Sequence, residues 1–140
     1  MPAPTVIVHD LAHADAALAA ADAAGVALVI RSAPGAAAVL GPGVFNAIAE
    51  EARQRHPSAR VTAVLDCGDE AGAALAAIRR GCERIAVDLP AAVRAKIDDL
   101  AAQAGVATEG PQAARALDLA GRDDPRAAVA AFLSEAIDDD

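Results

Sequence analysis

Aromatic side chains are almost missing from this chain: two Phe and no Tyr or Trp in 140 residues, 1% of the sequence. Proteins that bind single-stranded nucleic acid stack its bases on aromatic rings, and two Phe cannot build such a platform. Basic residues are also short, 12 against 20 acidic, for a net charge of −8. A surface of that sign repels phosphate backbones and anionic lipid, so neither nucleic acid nor a membrane surface is an expected partner. No apolar run approaches the roughly 20 residues of a membrane helix. The N-terminal MPAPTVIVHD lacks the basic segment and long apolar stretch of a secretory signal. Cys67 and Cys82 are too few for a disulfide framework. A reducing, cytoplasmic location is therefore the expectation.

Apolar residues make up 55% of the chain, and alanine fills much of that share, which predicts slender, closely packed helices. Strands read as uninterrupted apolar runs rather than period-two alternations: Thr5–Val8, Val26–Ile30, Val61–Leu65, Arg84–Val87 and a weaker Val106–Glu109. Such runs belong to strands covered on both faces, as in parallel sheets. Helical segments lie between them, over Leu11–Ala24, Val44–Arg55, Glu70–Arg80 and Pro90–Ala104. Gly25, Gly81 and Gly105 supply the stops. This β-α-β-α alternation predicts an α/β fold of four to five parallel strands with right-handed crossovers. Residues 1–110 form that domain. Residues 111–140 read as a C-terminal helical tail, with helices at Ala113–Leu119 and Pro125–Ile137 and solvated Asp138–Asp140.

In α/β sheets and barrels, chemistry gathers at the carboxyl ends of the strands. Those ends carry His9 and Asp10, Arg31 and Ser32, Asp66 and Cys67, Asp88, and Glu109. Any one of them has an ordinary reading as a turn or helix cap, and Asp69 before Glu70 fits an N-cap well. Their convergence at one end of a sheet is what suggests a site. His13 reads as a surface residue, His56 as a loop residue and Cys82 as a small buried hydrophobe. A thiol beside two carboxylates, as at Cys67, suits zinc binding, although the negative charge makes it a poor nucleophile.

The order of motifs resembles the class II fructose- and tagatose-bisphosphate aldolases. Ala20–Gly41, AADAAGVALVIRSAPGAAAVLG, is similar to the family's "SPVILQ" strand followed by "SPGA" and "G". Val61–Asp88, VTAVLDCGDEAGAALAAIRRGCERIAVD, is similar to its "HLDHGDSFE…AIRAGFTSVMID", and Gly105–Gly110, GVATEG, to the start of "GVSVEAELG". The likeness covers residues 5–110, the N-terminal half of a TIM barrel that needs about 250 residues to close. It implies that Asp66 is the acid–base residue and that Ser32, Gly35, Asp88 and Glu109 face substrate. It places Cys67 where a zinc-binding His should stand, with His9 a second candidate ligand. The family's two other histidine ligands and its phosphate loops fall in the half with no counterpart here.

Three functions follow as expectations. The first is a truncated aldolase-like module without aldolase activity. It binds a small phosphorylated or carboxylated metabolite, or a partner, and pairs as a homodimer to cover its open sheet. The second is a metal-dependent carbon–carbon lyase of aldolase type, with zinc rebuilt around Cys67 and His9, Asp10 or Glu109 and with Asp66 as base. The third is a receiver-like signalling domain phosphorylated at Asp66. It fits less well, because Asp88 stands where receivers carry Lys. Asp66 itself is expected on a solvated rim, so that Asp66→Ala would leave the fold intact.

Overall fold

The computed structural model describes residues 3–111 and 115–138. Ala113 and Ala114, the first residues of the helix expected at Ala113–Leu119, and the terminal Asp139 and Asp140 lie outside those residues. Twelve elements follow one another: β1 (Thr5–Ile7), α1 (Leu11–Ala24), β2 (Leu28–Arg31), α2 (Ala37–Leu40), α3 (Pro42–Arg55), β3 (Val61–Asp66), α4 (Ala71–Arg79), β4 (Arg84–Ala86), α5 (Ala91–Ala104), β5 (Ala107–Glu109), β6 (Ala116–Asp118) and α6 (Pro125–Asp138). The chain is α/β, with a six-stranded parallel sheet in the order β5-β4-β3-β2-β1-β6. From β1 to β5 each strand lies beside its sequence neighbour, as in a β/α repeat. The doubly wound order 2-1-3-4-5 of receiver domains reverses after its first strands, and this sheet does not. Its order is open, with β5 and β6 at the edges.

Two compact units make up the chain. The first comprises Met1–Arg31, Ile48–Thr62 and Ala114–Asp140. In it β1 pairs in parallel with β2 on one side and β6 on the other. The register puts Val6, Ile30 and Leu117 on one face of these strands and Thr5, Ile7, Val29, Arg31, Ala116 and Asp118 on the other. Val6 and Ile30 are completely buried. Helix α1 contributes Ala14, Ala17, Leu18 and Ala21 to the same core and packs on β2 and α6, whose Val129 and Leu133 are also buried. Small alanines let the two helices approach closely. Burying a side chain such as Leu18 contributes roughly 1.5–3 kcal/mol. Asp10 caps α1 by accepting the His13 N–H at 2.8 Å, and Gly25 ends it in the left-handed conformation.

The second unit comprises Ser32–Ala47 and Ala63–Ala113. Here β3, β4 and β5 run parallel, with Asp66, Ala86 and Glu109 in one rung and Val64, Arg84 and Ala107 on the same face one step earlier. Leu65 and Ile85 are fully buried on the opposite face, and α4 and α5 supply Ala74, Ala77, Ile97 and Ala101 to the core. Gly43 sits under the Arg80 guanidinium, where a Cβ would come within 2.4 Å of it.

Two expectations need correction. The segment read as a helix at Ala113–Leu119 provides strand β6, because pairing with β1 outweighs the weak helical preference of Ala-Leu-Asp. Asp69 is not the cap of α4: Glu70 occupies that position, and no side chain caps the helix. Pro125–Ile137 is helical as expected, and α6 packs on α1 rather than hanging free. No helix among the described residues is long and apolar enough to cross a membrane.

Candidate functional site

In the second unit, the strand ends are tied together by one carboxylate. Asp66 Oδ1 accepts the backbone N–H of Gly35 and that of Gly68, each at 2.9 Å. The Asp66 N–H in turn donates to Ser32 Oγ at 2.9 Å, while the Ser32 hydroxyl points at the Ala33 carbonyl at 3.3 Å. Both turns depend on glycine: Gly35 and Gly68 have φ of 68° and 57°, and a Cβ on Gly68 would lie 3.4 Å from Gly35 Cα. The loop after β2 and the loop after β3 therefore meet backbone to backbone. Asp66 is only 8% exposed and Ser32 1%. The solvated rim expected for Asp66 is thus corrected. Its carboxylate is a buried acceptor, with one donor from a loop 31 residues earlier and the other from the turn that follows it.

Cys67 follows Asp66 but turns the other way. Its thiol is completely buried and points toward the Leu65 carbonyl at 3.8 Å. Burial first, then the neighbouring Cys82 and Asp66, push that thiol up to about 12. Cys82 is buried as expected, and burial raises its thiol too, against a hydrogen bond from Asn46 that lowers it. Asp88 stands exposed after β4, its N–H donating to the Gly68 carbonyl at 2.8 Å. Glu109 closes the rung that Asp66 begins and pairs with Arg84 at 3.6 Å. Ser32, Gly35 and Asp66 are thus brought into contact, and Asp88 and Glu109 follow on the next strand ends.

His9 belongs to the first unit, where sequence reasoning missed its partner. Its Nε2 lies 2.6 Å from Asp118 Oδ1, at the end of β6. His13, read as a surface residue, is mostly covered, with 14% of its side chain exposed, and its Nδ1 accepts the His9 N–H at 3.1 Å. Asp118 ends its strand in a polar residue, as β1, β2, β3 and β5 do or nearly do. That signal was hidden because the segment read as helix. Arg31, at the end of β2, is buried at 3% exposure. His56, a loop residue as expected, bonds Asp15 of α1 at 2.7 Å.

These donors do not fit zinc. A metal-binding cysteine must be a thiolate, and the apolar surroundings of Cys67 hold it as a thiol. Among the described residues, no group of three or more His, Cys, Asp and Glu side chains could hold a metal ion. No family model matches the chain, and no curated protein matches it.

Proposed function

We propose that the chain is a small-molecule-binding module built on a half-barrel β/α repeat, related to the N-terminal half of class II aldolases but without their metal-dependent chemistry. The observation that carries this reading is the pair of N–H groups held by Asp66 Oδ1. A general base must reach a substrate proton, and this carboxylate is turned into the loops it braces. The thiol that would take the place of the metal-binding His is equally withdrawn. At the strand ends stand the exposed Asp88 carboxylate and the half-buried Glu109, which pairs with Arg84. An exposed carboxylate such as Asp88 accepts hydrogen bonds from hydroxyl donors, so a polyhydroxylated metabolite, with or without the phosphoryl or carboxyl group expected at first, is the proposed ligand. The two edge strands of the open sheet support homodimer formation in the same reading.

Ligand-observed NMR with ketoses, sugar alcohols and their phosphates tests this directly. Binding of one or more of these compounds, weakened in Asp88→Asn, is the expected result. Zinc-stimulated cleavage of a ketose bisphosphate, lost in Asp66→Asn, would overturn the reading in favour of the lyase. Sedimentation velocity reports the dimer.

A further inference from the structure

The first unit holds a second cluster at its strand ends that the binding module does not use. An ionised carboxylate only accepts hydrogen bonds. Burial pushes the Asp118 carboxyl up, but the Ala120 N–H and then the His9 ring outweigh it and hold the group below the usual carboxylate range. Asp118 is therefore the acceptor, His9 Nε2 carries the hydrogen, and the lone pair of His9 sits on Nδ1. The Ala120 N–H, 2.9 Å from the same Oδ1, fixes the carboxylate. His13 is oriented in the opposite sense. Its Nδ1 accepts from the His9 backbone, so its Nε2 bears the hydrogen, and the two rings meet edge to face with centroids 5.6 Å apart. Among the described residues, no hydrogen-bond partner occupies His9 Nδ1, and a third of the side chain is exposed.

We propose that His9, oriented by Asp118, is a general base that activates water against small uncharged esters. The arrangement supplies a free ring nitrogen, an anion behind the ring to stabilise the imidazolium, and an N–H donor on His13 in the same cluster. The charged groups that the geometry sets against the two rings are Asp118 and Asp10, both carboxylates, which exclude an anionic substrate. In the reaction, Nδ1 takes a proton from water as its oxygen bonds the acyl carbon, and the carbonyl electron pair moves to oxygen. Collapse breaks the bond to the alcohol, which leaves with the proton from Nδ1. Ester and water give acid and alcohol, and the ring returns to its starting form. His9 is the catalytic residue and Asp118 a positioning residue. The inference does not rest on the reading of the second unit.

The test is hydrolysis of 4-nitrophenyl acetate by the full chain. Expected are saturable turnover faster than equimolar imidazole and a slower rate in deuterium oxide. His9→Asn abolishes the turnover. Asp118→Asn lowers kcat by about tenfold or more, with KM and the circular dichroism spectrum unchanged. Carbethoxylation of His9 in the folded wild type, mapped by mass spectrometry and reversed by hydroxylamine, gives the same comparison if a variant fails to fold. Turnover no faster than imidazole, or unchanged by loss or modification of His9, would overturn the proposal.

Discussion

The two units end their strands in different ways. In the second, a carboxylate is buried and its acceptor oxygen is saturated by main-chain N–H groups of two glycine turns. In the first, a carboxylate is half exposed and spends its oxygen on an imidazole. The second unit's arrangement braces backbone, and the first unit's aims a side chain. The same residue type at equivalent strand ends thus serves rigidity in one place and orientation in the other, and burial decides which.

The largest expected effect comes from removing the brace. Asp66→Ala leaves two N–H groups without their acceptor, at about 1–3 kcal/mol each when buried, so urea denaturation should show a loss of about 2–5 kcal/mol. Asp66→Asn keeps an acceptor oxygen and should lose clearly less. Equal losses in both variants would mean that the charge, rather than the acceptor, holds the turns. Gly68→Ala should follow at about 1–2 kcal/mol, for the left-handed backbone and the close approach to Gly35.

Cys67 sharpens the contrast through pH. Its thiol ionises at a higher pH folded than unfolded, so the folded state binds the extra proton and stability is complete below the ordinary thiol value of 9.0. That contribution is lost as pH rises from 9.0 toward about 12. Native protein at pH 8 should resist 5,5′-dithiobis(2-nitrobenzoate) at Cys67 and react there in denaturant. The smallest effect belongs to Asp118. Its carboxyl ionises below the usual range, so its contribution is present above that range and lost as pH falls through it. With half of the side chain exposed, Asp118→Asn should cost less than about 1 kcal/mol at neutral pH. Melting curves at neutral and acid pH would show the difference shrinking on acidification.

Much of the architecture was legible because its signals are local. Apolar runs marked five strands, and Gly25 and Gly105 marked helix ends within a residue. Strand β6 was not legible. Ala116-Leu117-Asp118 has no strand pattern of its own and is extended only because β1 offers a partner more than 100 residues away. Asp66 was found, but its role was misread for a related reason. Its acceptors' partners are backbone groups of Gly35 and Gly68, and no residue type announces a main-chain donor. The His9–Asp118 pair was invisible for as long as β6 was. The capping role assigned to Asp69 failed because a polar residue before a helix permits a cap without requiring one.

Strand β1 sits between β2, which follows it almost at once, and β6, which is made near the far end of the sequence. During synthesis at roughly 5–20 residues per second, the opening strand waits several seconds with one flank bare. A ribosome-bound chain that has just emitted Glu109 holds five strands and a raw edge at Val6, open to any passing extended segment. Chaperone capture, and mispairing at that edge before β6 is made, are the hazards this topology brings with it.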